Sequence, residues 1–341
     1  MTKIKNAFSS YLPSPAKTFH SKMQILYNML CECKYEIQKL NRRLDDVLAD
    51  ESHSRVTTQI PIQVQDIYLT RNEKILKLCN LNGDGLEISP SYNPVLPKSQ
   101  GYNVETLDHL DKAGLIQKYT GHNVNLDNIE EPNYIWTGGS YVDAIGKKSC
   151  YDYIIASHII EHTVDIIGFI NDCMELLRPK GVLSLIVPDK RKCFDYFRPL
   201  STVAEAVNAF YSDGKRHSIG AVCEHFLNAV SFNESFAWTG ISELHEASFI
   251  HPYEFTKGIV SQYQNDCNYV DVHHWVFTKP SFELLFYDLV ALDYLKGMDI
   301  AEAYDTDGIE FFITIRKTGN TSGIQDYSSK RLELLCLINK D

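Results

Sequence analysis

Residues 151–189 read YDYIIASHIIEHTVDIIGFINDCMELLRPKGVLSLIVPD, and the fold follows from how this stretch is patterned. Its opening, Tyr151–Ser157, is a nearly continuous apolar run, the pattern of a strand buried on both faces of a parallel sheet. Val164, Ile167, Ile170, Met174 and Leu177 then recur at spacings of three and four, which predicts a helix over Thr163–Leu177. Arg178-Pro179-Lys180-Gly181 stops it, and Val182–Val187, VLSLIV, is a second buried strand ended by Pro188. Strand, helix and strand in this order make a crossover between parallel neighbours, with helices covering the sheet faces.

The alternation extends in both directions. Upstream, the pattern predicts a helix over Arg71–Cys79 and strands over Gly85–Ser89, Tyr102–Leu107 and Tyr134–Trp136, the last stopped by Gly138-Gly139. Downstream, an irregular stretch rich in aromatics and histidine runs to about Thr278, followed by a helix over Ser281–Leu292 and a closing strand over Gly308–Arg316. The fold class is doubly wound α/β, with an antiparallel final strand.

Composition narrows the function. The chain has 341 residues, 44% hydrophobic and 23% charged, enough for one large or two modest globular domains. A net charge of −11 argues against a nucleic-acid-coating protein, which needs clustered Lys and Arg. No apolar run is long enough to span a bilayer, and the start, MTKIKNAFSSYLPSPAK, lacks the apolar centre of a secretory signal. Nine cysteines, an odd number with no CxxC pair, fit a reduced cytoplasmic protein better than a disulfide framework or zinc ribbon.

Residues 1–20 read as a loose tail and 51–70 as a linker. Between them, in 21–50, Met23, Leu26, Leu30, Cys33, Ile37, Leu40, Leu44 and Val47 form a heptad seam flanked by charges. Two readings stay open: a helix lying on its own domain, or a coiled coil that makes the chain a homo-oligomer through residues 23–47, the reading we favour. The α/β domain then occupies 71–320, with 189–278 as an insert after the fifth strand, and 321–341 form a C-terminal tail.

In doubly wound sheets, ligands bind beyond the C-terminal ends of the central strands. The residues at those tips are Ser89, Pro90 and Ser91; Asp108; Gly138 and Gly139; Ser157 and His158; Pro188 and Asp189. An acidic residue at the second tip can accept hydrogen bonds from vicinal ribose hydroxyls. Glu87, within an apolar first strand, needs a backbone donor or a ligand ammonium.

Four blocks together resemble a known family. Gly85-Leu-Glu-Ile-Ser-Pro-Ser-Tyr-Asn-Pro94 is similar to the first motif of class I S-adenosylmethionine-dependent methyltransferases, and Val104-Glu-Thr-Leu-Asp108 to their acidic second motif. YDYIIASHIIEH (151–162) and LRPKGVLSLIVPD (177–189) resemble the fourth- and fifth-strand blocks. Order and spacing cover Arg71 to Asp189, and Phe282–Lys317 fits the last helix and strands. The resemblance implies a seven-stranded sheet with S-adenosylmethionine lying across the strand tips. It places Glu87, Ser89 and Pro90 at the methionine end, Asp108 on the ribose, Gly138 and Gly139 near the adenine, and Ser157 and His158 beside the sulfonium. Where the family usually has glycines, this chain has Ser89 and Ser91.

His158-Ile-Ile-Glu-His162 also matches H-x-x-E-H, an inverted zinc-peptidase signature that needs both histidines on one helical face. His158 directly follows a buried strand and the run is accounted for by the methyltransferase block, so no metal ligand is assigned. His162 is the expected base on the acceptor side. The insert adds His217, His225, His245, His251, His273 and His274 among many aromatics, and its basic start supplies Lys190, Arg191 and, further on, Arg198. Arg198, Lys190, Arg191 and His273 are the expected acceptor contacts. The functional reading is methyl transfer to a small-molecule or glycan hydroxyl, in analogy to methyltransferases of polysaccharide assembly. The alternative is a non-catalytic scaffold that oligomerises through its N-terminal helix.

Overall fold

The computed structural model describes residues 69–212, 216–239, 247–265, 269–319 and 326–340. The expected tail, the heptad helix at 21–50, nearly all of the linker and His245 lie outside these residues.

Helix α1 (Arg71–Leu76) starts at a capping box in which Thr70 and Glu73 satisfy each other's backbone N–H. Strands β1 (Gly85–Ile88), β2 (Val104–Asp108), β3 (Tyr134–Ile135), β4 (Tyr151–Ser157) and β5 (Leu177–Pro188) follow, all parallel. Helices α2 (Lys112–Tyr119), α3 (Tyr141–Ile145) and α4 (Ile166–Leu176) make the crossovers. Strands β8 (Met298–Asp307) and β9 (Glu310–Lys317) complete one sheet in the order β3-β2-β1-β4-β5-β9-β8, with β9 antiparallel to both neighbours. This is the seven-stranded sheet that the resemblance implied.

Burial explains the order. Every residue of β1 is buried, and Leu86, Ile154, Leu183 and Ile313 pack with Ile167 and Ile170 of α4 on one face. Tyr153, Ile155, Ile186 and Phe312 join Ile75 of α1 on the other. Each fully buried aliphatic side chain contributes about 1.5–3 kcal/mol. Gly85 makes room for this layer, since a Cβ there would lie 2.1 Å from the Tyr153 ring.

Three expectations need correcting. Residues 178–181 do not stop the helix outside the sheet; β5 already begins at Leu177, and they bulge between the pairs Tyr151–Leu177 and Tyr153–Val182. The insert is not irregular: it holds α5 (Val203–Phe210), α6 (Ile219–Asn228), α7 (Tyr253–Asn265) and a small antiparallel pair, β6 (Val230–Phe232) with β7 (Ala247–Phe249). The expected tail at 321–341 contains α9 (Tyr327–Ile338), which docks on α8 (Lys279–Ala291) through a buried Leu334 and an Arg331–Asp288 ion pair at 3.1 Å. Among the described residues no helix is long and apolar enough to cross a membrane.

Candidate functional site at the strand tips

The tips of β1 and β4 carry backbone that favours glycine. Ser89 (φ 50°), Ser91 (φ 47°) and His158 (φ 54°) all adopt left-handed conformations. A non-glycine residue there costs roughly 1–2 kcal/mol, so the turns are held by their surroundings. Gly138 (φ 112°) and Gly139 (φ 80°) do the same after β3, and a Cβ on either would meet nothing within 4 Å. This open loop and the left-handed turns fit a ligand lying across the tips with close backbone contact.

The carboxylates at the tips fit less well. Glu87 is buried and accepts from the backbone N–H groups of Val95 (2.6 Å) and Leu96 (3.1 Å), the backbone donors that the sequence reading allowed for it. These bonds shape the loop after β1, and burial raises its carboxyl to about 7 against them. Asp108 is fully buried. Its Oδ1 accepts from His109 N (2.8 Å) and lies 2.7 Å from His109 Nδ1. Its Oδ2 accepts from Ser91 N (3.1 Å) and Ser91 Oγ (3.3 Å). Four partners fill a carboxylate's acceptor positions, so the expected ribose contact needs Ser91 or His109 to yield.

At the β4 tip, Arg71 Nη2 donates to Ser157 Oγ (3.2 Å) and its Nε pairs with Glu310 at 2.5 Å. His158 Nε2 lies 2.7 Å from Glu310 and its Nδ1 3.5 Å from Glu161. Burial opposes charge on His158, but Glu161 and Glu310 outweigh it and raise the imidazole to about 9. Residues 160–162 form one 3-10 turn, so His158 and His162 share no helical face and the H-x-x-E-H geometry does not form.

The insert returns to this turn. The backbone N–H groups of His274 (2.7 Å) and Trp275 (3.1 Å) donate to Glu161 O, and Trp275 Nε1 donates to Thr163 O (2.7 Å). These bonds set His273 edge-on to His162, with ring centroids 4.6 Å apart. Asp271 Oδ1 lies 2.8 Å from His162 Nδ1, and Asp195 Oδ2 lies 2.5 Å from His273 Nδ1. The His162 imidazole is raised: burial opposes its charge, and Asp271 and Glu161 outweigh that. Asp195 is likewise held below the carboxylate range despite burial, through His273 and Arg198.

The structure therefore joins His162 and His273, and splits the basic group. Arg191 binds its own neighbour Asp189 at 2.7 Å. Burial lowers the Lys190 ammonium. Arg198, 1% exposed, pairs with Asp195 at 2.8 Å and lines a cavity of about 530 Å³ with His217, Ser218, Glu224, His274 and Trp275. His217 Nδ1 lies 3.0 Å from His274 Nδ1, and burial lowers these rings to about 3 and about 4. Of the expected acceptor contacts, Arg198 reaches the cavity, His273 reaches the turn, and Arg191 is committed elsewhere. Sequence reasoning missed Glu161, Asp195 and Asp271 as partners. Their signal was acids placed next to His162, Arg198 and His273 in the chain.

Comparisons with known proteins add little. No family model matches the chain, and no curated protein does. Solved structures are similar only distantly. A SAM-dependent methyltransferase from Aquifex aeolicus is 10% identical, with 76% of this chain and 100% of that one covered and a TM-score of 0.31. A candidate S-adenosylmethionine-dependent methyltransferase from Listeria monocytogenes is 11% identical, with 72% and 96% covered and a TM-score of 0.36. A protein from Rhodobacter sphaeroides described among candidate Zn-dependent alcohol dehydrogenases is 10% identical, with 72% and 89% covered and a TM-score of 0.38. Scores this low carry no argument, and the fold rests on this chain's own strand order.

Proposed function

We propose that this chain is an S-adenosylmethionine-dependent methyltransferase acting on a hydroxyl of a small-molecule or glycan acceptor. The observation that carries the reading is the sheet order with its one strand antiparallel to β5, joined to left-handed turns and an open Gly138-Gly139 loop at the same edge. Ser89, Pro90, Ser91, Gly138 and Gly139 are the residues that would hold the cofactor, with Ser157 and His158 beside them. When bound, S-adenosylmethionine supplies an activated methyl electrophile.

The chain's own work is then positioning and proton removal. Asp271 fixes the His162 ring through Nδ1 and leaves Nε2 as the nitrogen that takes the acceptor proton. The cavity beside Arg198 and Trp275 is of a size for a small acceptor, and Arg198 suits an anionic group on it. An acceptor from polysaccharide assembly and a cytoplasmic setting are part of this proposal. So is a homo-oligomer through residues 23–47, for which light scattering of the full chain and of a chain starting at Ser52 is the check.

Incubating the protein with S-adenosylmethionine and a panel of nucleotide sugars and sugar phosphates tests the reading. An acceptor that gains one methyl group in its mass spectrum supports it; cofactor binding without methylation of any acceptor narrows it to another acceptor class. A second reading has its own support: Asp108 is saturated by protein groups, as a non-catalytic scaffold would permit.

A further inference from the structure

We propose that Glu161, His162 and His273 form a binding site for one divalent first-row transition metal ion. One ligand atom from each of these residues can be chosen so that all lie within 4.8 Å of one another. That is close enough for a single ion to draw them in at metal–ligand distances of about 2.0–2.2 Å with small side-chain shifts. Three separate observations point to a ligand there.

The first is Glu161. Its carboxylate is 1% exposed, and neither oxygen has a hydrogen-bond partner among the described residues; its nearest cation, His158 Nδ1, stands at 3.5 Å. Buried carboxylates are retained when they are paired or coordinate a metal. The second is the pair of histidines. Asp271 holds Nδ1 of His162 and Asp195 holds Nδ1 of His273, leaving Nε2 of both rings unpartnered among the described residues. A carboxylate on the far nitrogen is the arrangement that orients metal-ligating histidines. The third is rigidity. Glu161 O accepts from His274 and Trp275, so main-chain bonds lock the His273 segment against the Glu161–His162 turn.

The ligand set defines the ion. Two imidazoles and one carboxylate suit zinc, iron, cobalt or manganese over magnesium or calcium, which prefer oxygen. Three protein ligands leave coordination positions open. The ion's role rests on the methyl-transfer reading, though its binding does not: there it would hold the acceptor oxygen and lower the pKa of a bound hydroxyl. With its Nε2 on the ion, His162 would then act on the acceptor through the ion in place of taking the proton itself, and the proton of the bound hydroxyl would pass to solvent.

The test uses the full chain, stripped with a chelator and titrated with Co²⁺ and Zn²⁺ alone. The expected result is one ion per chain and visible Co²⁺ bands without the sulfur charge-transfer absorption that cysteine ligands give. Glu161→Gln and His273→Gln, each checked for folding by circular dichroism, should weaken binding by about 10-fold or more, and Asp195→Asn by about 10–100-fold. Absence of stoichiometric binding, sulfur charge-transfer bands, or binding equal in wild type and Glu161→Gln overturns the proposal. S-adenosylmethionine titrated into the same samples separates the two ideas: cofactor binding without the ion rejects the site alone, and ion binding without the cofactor rejects the methyltransferase reading alone.

Discussion

Two regions beyond the strand ends treat buried polar groups in opposite ways. At the tips of β1 and β2, Glu87 and Asp108 are buried, and every carboxylate oxygen is taken by a protein donor. At the turn after β4, Glu161 is as deeply buried and neither oxygen has a hydrogen-bond partner among the described residues, its ion pair with His158 standing at 3.5 Å, while Arg198 Nε is also without a partner among the described residues. An unmade hydrogen bond to a buried group costs about 1–3 kcal/mol, and more for a charge. Folding alone explains the satisfied region. The second region is the one that the ion proposed above would complete. On the function proposed above, the strand tips form a pre-shaped floor, and chemistry belongs to the junction between the β4 turn and the insert.

The strongest way to break the contrast is to remove a group on the junction side. His162→Ala is expected to slow methyl transfer by about 10²–10⁴-fold while cofactor affinity stays nearly constant. Loss of cofactor affinity with full turnover at saturation would move His162 to the floor. Asp195 comes next, because it holds His273 and the buried Arg198 together. Asp195→Ala leaves an unpaired buried guanidinium at a cost of about 3–5 kcal/mol. Its melting temperature should fall by roughly 6–20 °C, and an unchanged thermal scan would show that the pair is not structural.

Asp108→Ala sharpens the other side. If Asp108 serves the floor, the variant loses about 1–3 kcal/mol of folding stability from the orphaned Ser91 and His109 donors, and cofactor affinity drops less than about tenfold. Unchanged stability with a larger affinity loss would restore the direct ribose contact. The smallest effect belongs to His158. Its folded pKa of about 9 exceeds the usual 6.5, so its contribution to stability is complete below pH 6.5 and is lost as pH rises through 9. Chemical denaturation of wild type and His158→Gln should show a stability gap that narrows over that window; a constant gap up to pH 10 contradicts the Glu161 and Glu310 pairing.

Much of this was legible in the chain, for a common physical reason. Central parallel strands are buried on both faces, so Gly85–Ile88 and Tyr151–Ser157 stand out as apolar runs. Strand β8 does not, because it lies at the sheet edge and carries Asp299 and Glu302 on partly exposed positions and Asp305 and Asp307 on exposed ones. Its acids read as loop. The insert's helices are short and begin at Thr202 and Ser218, caps that a closer reading of S/T-x-x-E/Q spacing finds at Thr202–Glu205.

The site divides along the same line. Positions at strand ends follow from topology, and Ser89, Ser91, Gly138 and Gly139 sit there in left-handed turns. Partners across the chain do not follow. His162 meets Asp271 over 109 residues and His273 meets Asp195 over 78, distances that only the folded insert closes. The same holds for Asp108, because the sequence cannot show that Ser91 and His109 reach it; for Glu87 the sequence asked for a backbone donor or a ligand but could not name Val95 and Leu96 as the donors.

The most direct measurement is calorimetric titration of the full chain with S-adenosylmethionine, alongside His162→Ala under the same conditions. The account predicts one site per chain with a dissociation constant in the range of about 1–100 μM, equal in both proteins, because the floor binds the cofactor and the junction does not. No heat from either protein at ~1 mM cofactor would contradict it and leave a methyltransferase-like scaffold in its place.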